Sequence, residues 1–193
     1  MRKLWIGVCM GVVLAAYFVS CSPPPKMPDF ATIDESAPIK RFAKVSDALY
    51  RGADPQAALN WLKKRGIKTV INLRTTDDYR KAAKAAKLKY FHLPMHTSCR
   101  PPELLLKRFL EIVTNKENQP VYVHCHYGIH RTGTLVAVYR MEVEGWDARK
   151  ALAEARYFGF RRWHHPTLYD FIAEYRPHIL KGMKEKECAG AAR

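Results

Sequence analysis

The sequence predicts a single α/β domain with a mostly parallel central sheet flanked by helices. Three observations point to it. The runs "IKTVINL" (67–73), "KYFHLP" (89–94) and "PVYVH" (120–124) are short, apolar and rich in β-branched or aromatic residues, which reads as buried strand. Amphipathic helical stretches alternate with them, the pattern of parallel strands joined by crossovers. One helical stretch, "TLVAVYRMEVEG", is so apolar that it belongs in the centre of the fold. The chain has 193 residues, enough for one domain with a real core and too few for two large ones.

The elements follow in order. "RFAKVSDALYRGADP" offers short strand-like pieces and a turn, and the domain is expected over residues 41–181. "DPQAALNWLKKRG" reads as a helix with Asp54 as cap, Pro55 in the first turn and Gly66 as stop. "DDYRKAAKAAK" places acids at the N-terminal end of a helix, where the dipole favours them. In "PPELLLKRFLEIVTN", Leu105, Phe109, Ile112 and Val113 share one face. "DARKALAEARYFG" and "PTLYDFIAEYRPHIL" complete the domain as amphipathic helices, and 182–193 reads as a basic tail.

The first twenty residues have the anatomy of a signal peptide or signal anchor. Arg2 and Lys3 precede the uncharged run "LWIGVCMGVVLAAYFVS". Ser20 directly before Cys21 resembles the lipobox of bacterial lipoproteins, in which the cysteine is lipidated. Phe18 departs from the leucine usual there. Residues 21–40 then form a proline-rich linker, "SPPPKMPDF" at its start. Both readings place the domain outside the cytoplasm, anchored to a membrane.

The formal charge of +15 predicts attraction to anionic partners and says nothing about fold. The basic residues are dispersed and no nucleic-acid motif accompanies them, so nucleic acid is not an expected partner. Among the five cysteines, no pair has zinc-type spacing, and too few remain beyond Cys9 and Cys21 for a disulfide framework.

The chemistry concentrates in "VYVHCHYGIHRTGT" (121–134). A strand ends at Cys125, a loop follows, and a buried helix begins. The loop's N–H groups at a helix N-terminus make an anion nest, and Gly128 permits the curl. Arg131 adds a planar fork suited to two phosphate oxygens. The same field favours a thiolate at Cys125, placed for in-line attack on a bound phosphoryl group. Thr132 is expected to donate a hydrogen bond to the sulfur. His124 is expected to brace the loop from inside by hydrogen bonds. His126 and His130 read as rim residues, because ligands at alternate positions of a strand end rarely converge on a metal.

"HCHYGIHRTG" resembles the HCxxGxxR(S/T) signature of cysteine-based protein tyrosine and dual-specificity phosphatases. "ALYRGADP", "GIKTVINLR", "FHLPM" and "GWDARKALAEARYFGF" are similar to compact bacterial and to plant and fungal atypical dual-specificity phosphatases, over roughly residues 41–178. The resemblance implies phosphomonoester hydrolysis through a cysteinyl-phosphate, with Cys125 as nucleophile and no cofactor. It implies substrate contacts from His126, Tyr127, Gly128, Ile129, His130, Arg131 and Thr132. It implies a phosphorylated protein as substrate, or a small polyanion such as an inositol polyphosphate or pyrophosphate. The family supplies an aspartate general acid some thirty residues before the cysteine, and "HLPMHTSCRPPE" contains none. His96 is the favoured replacement, with Glu103 next. Without an acid, a phosphate-binding domain with weak turnover is the rival reading. Cys99, in the same stretch, is a candidate for a reversible disulfide with Cys125.

Overall fold

The computed structural model describes residues 29–182. The expected signal segment, the Cys21 lipidation site, the first part of the linker and nearly all of the basic tail lie outside the described residues. No helix among those described is long and apolar enough to cross a membrane.

Five strands form one sheet in the order β1-β2-β5-β3-β4. They are β1 Ala43–Lys44, β2 Leu49–Gly52, β3 Thr69–Asn72, β4 Lys89–His92 and β5 Val121–His124. Only the β1–β2 pair is antiparallel; β2, β5, β3 and β4 run parallel. The helices are α1 Leu59–Lys64, α2 Arg80–Ala85, α3 Glu103–Thr114, α4 His130–Val143, α5 Ala148–Tyr157 and α6 Pro166–Glu174.

Alternation along the strands sends side chains into two layers. Val70 of β3 and Tyr122 of β5 join Leu59 and Leu62 of α1 and Ala83 of α2 on one face. Ile71, Val121 and Val123 join Phe109, Leu135 and Leu168, from α3, α4 and α6, on the other. Full burial of side chains this size stabilises by about 1.5–3 kcal/mol each. Helix α4 is buried from Thr132 to Met141, as its apolar sequence requires.

The packed chain begins earlier than residue 41. Ala31 and Ile39 are buried, and Ile33 bridges Ala43. The cause is a carboxylate far along the chain. Buried Glu154 accepts from the Ala31 N–H at 2.8 Å and forms a forked pair with Arg140 at 2.6 and 3.0 Å. Two helices are shorter than their sequences suggest. Helix α2 starts at Arg80 because Asp77 and Asp78 are drawn to Tyr90 and Arg74. Helix α6 stops at Glu174, since Pro177 lacks an N–H and restricts the residue before it.

The register prepares the site. Gly52 of β2 and Asn72 of β3 both stand opposite His124 of β5. The loops after these strands therefore leave the sheet at one level, beyond its carboxyl edge, where open α/β sheets bind ligands.

Candidate active site

Cys125 follows β5 directly and is buried at the base of the loop that enters α4. Three successive carbonyls of that loop are held from outside. Asp54 N–H donates to the His126 carbonyl at 3.1 Å. Arg41 Nη1 donates to the Tyr127 carbonyl at 3.2 Å, and Arg51 Nη2 to the Gly128 carbonyl at 2.9 Å. In a planar trans peptide the next residue's N–H points opposite the carbonyl. The N–H groups of Tyr127, Gly128 and Ile129 are thereby turned to the inner side. The first turn of α4 continues the cradle, opened by Gly133 N–H donating to the Ile129 carbonyl at 2.8 Å.

Gly128 has φ +68, and the backbone of β2 lies against it. A Cβ there would come within 2.5 Å of Ala53 N and the Gly52 carbonyl oxygen. Only glycine meets both the left-handed backbone and the close approach.

Arg131 stands in the first turn of α4 and reaches towards the ends of β3 and β4. Its Nη1 donates to the carbonyls of Leu73 at 3.2 Å and Met95 at 3.4 Å, so one arm fixes the plane of the fork. The Met95 contact ties the stretch after β4 to the cradle. His96 is the next residue and is exposed. Glu103 is exposed too, but stands at the start of α3, where its carboxylate lies 3.9 Å from His178 Nε2.

Tyr127 is exposed and His126 half-exposed, both on the rim, their rings 4.4 Å apart. Ile129 is partly buried against the core. His130 is drawn inward and packs on Phe160 at 5.0 Å and His165 at 4.2 Å. Burial, then His165, His164, Arg131 and Arg41, push its pKa down to about 4, so it is neutral at physiological pH. The histidines of the motif face different neighbours.

One expectation is corrected. The Thr132 hydroxyl is buried without a hydrogen-bond partner among the described residues, so it does not bond the Cys125 sulfur in this state. Helix α4 begins at His130, and the helical backbone governs where the hydroxyl points. His124 braces largely by packing, with a backbone contact from Cys125. Its ring stacks on Tyr122 at 5.8 Å and meets Tyr79 edge-on at 5.6 Å. Apart from that backbone contact with Cys125, the ring nitrogens have no hydrogen-bond partner among the described residues. Cys99 is exposed while Cys125 is buried, and both thiols are free.

Burial pushes the His124 pKa from 6.5 to about 4, against the pull of the Asp54 carboxylate. The unfolded chain therefore binds a proton that the folded chain refuses. The stability from a neutral His124 is complete above pH 6.5 and falls as pH drops towards 4. The expected loss is about 3 kcal/mol. Urea midpoints measured from pH 7 to pH 4 should show it, and His124→Phe should flatten the slope.

Sequence reasoning missed Arg51. The guanidinium is fully buried, 3.6 Å from the centre of the Phe158 ring, and clamps the Gly128 carbonyl. Its Nε and Nη1 have no hydrogen-bond partner among the described residues. Burial lowers its pKa to about 10, opposed by the charges of Glu154 and then Cys125. A cation under the loop adds to the field that favours an anion above it. Arg51→Met removes a costly buried charge along with the clamp, so unfolding free energy should change by less than about 2 kcal/mol. Turnover should fall about 10–100-fold, as when the support of a reacting group is lost. Thermal melts and steady-state rates on the same sample check both.

A second brace joins the loops after β2 and β3. Arg74 Nη1 donates to Asp54 Oδ2 at 2.8 Å, and Tyr79 donates its hydroxyl to the same carboxylate. That carboxylate lies 4.0 Å from His126 Nδ1. Asp54, read as a helix cap, is part of this network.

A buried cysteine at the base of a glycine-curled loop that opens a helix, with an arginine in that helix's first turn, defines a cysteine-dependent phosphatase of the dual-specificity type. The family model described as DSP-PTPase phosphatase fused to NAD+ kinase matches residues 22–164, and the chain belongs to that family. Dual specificity protein phosphatase TpbA of Pseudomonas aeruginosa is 30% identical over 164 residues, which cover 81% of this chain and 73% of TpbA. Inositol diphosphatase SIW14 of Saccharomyces cerevisiae is 31% identical over 136 residues, covering 70% of this chain and 41% of SIW14. The crystal structure of the SIW14 core catalytic domain superposes with a TM-score of 0.67 at 27% identity, covering 81% of this chain and 96% of that one. The TpbA crystal structure gives 0.66 at 28% identity, covering 78% and 92%. The protein is a phosphoric monoester hydrolase.

Proposed function

We propose that the enzyme removes phosphate from phosphotyrosine and other phosphorylated side chains, outside the cytoplasm and tethered to a membrane through Cys21. The observation that carries the chemistry is the set of three carbonyls held from outside at His126, Tyr127 and Gly128, which leaves the following N–H groups on the opposite side, available to an anion bound over Cys125.

The reaction runs in two displacements. The Cys125 thiolate attacks phosphorus, an S–P bond forms, and the P–O bond to the leaving group breaks in line with it. The cradle N–H groups and the Arg131 fork hold the equatorial oxygens as charge develops. His96 in its protonated form gives a proton to the leaving oxygen. In the second step its neutral ring takes a proton from water, which attacks phosphorus and returns the thiolate. The tie between Met95 and Arg131 supports this role, because it holds the preceding residue at the cradle.

The substrate test is phosphate release from aryl phosphate, phosphotyrosine peptide, phosphoserine peptide and inositol diphosphates under one set of conditions. Efficient turnover of the aryl and phosphotyrosine substrates supports the reading. Preference for the inositol diphosphates moves the substrate to small polyanions, and oxyanion binding without turnover reduces the protein to a binding module. His96→Ala should slow phosphoserine hydrolysis about 10²–10⁴-fold and aryl phosphate hydrolysis far less, since an aryl oxide leaves without a proton. Equal loss on both substrates removes His96 from the acid role.

A further inference from the structure

We propose that α5 and the 158–163 turn form a docking face for an anionic lipid bilayer, resting on the reading that Cys21 is the anchor. The first support is the way the segment after Cys21 seats on the domain. Phe30 packs against Trp146 and Tyr157, 6.2 Å from each ring centre, and Glu154 of α5 pins Ala31. Nine residue steps separate Cys21 from Phe30, a span of at most about 30 Å when fully extended. A lipid on Cys21 therefore holds the Phe30 side of the domain close to the membrane surface.

The second support is the chemistry of that side. Arg149, Ala153 and Arg156 recur at helical spacing on α5 and share one face. Tyr157 and Trp163 are exposed beside them, Trp163 at 76%. Arg156, Arg161, Arg162, Tyr157 and Trp163 line one open groove floored by Phe160 and Ala153. Two of its carboxylates are paired with arginines, whereas Asp29 and Asp147 stand exposed. Glu154 is buried in its pair with Arg140, Asp170 is held by Arg162, and Asp147 caps the Lys150 N–H. Arg149, Arg156 and Arg161 leave the face net positive. Interfacial tryptophan and tyrosine flanked by arginines match the headgroup layer of an anionic bilayer. The same turn leads into His164 and His165, which contact His130 at the start of α4.

The test uses the full chain in vesicles of phosphatidylethanolamine and phosphatidylglycerol carrying a headgroup nitroxide. Flotation reports anchoring. Trp163 emission, taken as the difference from Trp163→Phe, reports docking. The expected result is flotation with Trp163 emission quenched at least two-fold. Arg149→Glu/Arg156→Glu should lose the quenching while keeping flotation and aryl phosphate turnover. Flotation with unquenched Trp163 overturns the docking face and leaves the anchor standing. Quenching that persists in Cys21→Ala keeps the face and removes the anchor. Equal quenching in phosphatidylcholine vesicles, or absence of flotation, overturns the proposal, as does protection of Trp163 by an acidic peptide but not by lipid.

Discussion

Gly128→Ala is expected to remove oxyanion binding and turnover together. Alanine at φ +68 costs about 1–2 kcal/mol of backbone strain. The larger effect is collision. The new methyl would sit 2.5 Å from Ala53 N and the Gly52 carbonyl, backbone atoms at the end of a strand that cannot yield. The loop must move away from β2, and the clamps from Asp54, Arg41 and Arg51 go with it. A displacement of about 1 Å at a reacting centre costs roughly 10²-fold. Since binding and attack share the cradle, a fall in turnover of about 10³-fold is expected. The sheet should survive, with a stability loss of about 2–3 kcal/mol. Vanadate binding by calorimetry, steady-state rates and far-UV circular dichroism separate these effects. Near-normal vanadate affinity in the variant would show that the loop tolerates a Cβ.

Arg131→Lys is the second large effect. Lysine keeps the charge and loses the planar fork. It cannot bond the Leu73 and Met95 carbonyls while also spanning two phosphate oxygens. The interaction strengthens as charge builds on the equatorial oxygens, so kcat should fall more than KM rises. A loss of about 10³-fold in kcat/KM, or roughly 4 kcal/mol, is expected. Because Arg131 also holds the 95–96 stretch, the acid limb of the pH–rate profile should weaken in the same variant. Loss confined to KM would mean that the arginine only binds.

Much of this site was legible because its parts are neighbours in sequence. Cys125, Gly128, Arg131 and the strand and helix around them occupy one continuous stretch, and each has a local physical reason to be there. The parallel sheet was legible for the same reason, through β-branched runs and helical spacing. What stayed hidden depends on distant partners. Arg51 lies 77 residues from the Gly128 carbonyl that it clamps, and Arg41 lies 86 from Tyr127. An arginine inside a strand pattern, in "ALYRG", was the one available signal for Arg51, since an unpaired charge seldom enters a sheet without a task. Asp54 looked like a cap because local rules favour it there. Its bonds to Arg74 and Tyr79 come from the register of β2 and β3 against β5. That the packed chain reaches Ala31, ahead of residue 41, was hidden likewise, because the partner Glu154 lies 123 residues away.

The central claim is that Cys125 carries the phosphoryl group between the two displacements. Acid quench of wild-type enzyme during turnover of an aryl phosphate, followed by mass spectrometry of the peptide spanning residues 121–131, tests it most directly. The account predicts a phosphoryl group on the Cys125 sulfur, absent from Cys125→Ser, which still binds vanadate or substrate. Turnover by Cys125→Ser, or a phosphoryl group found on a histidine instead, would contradict it.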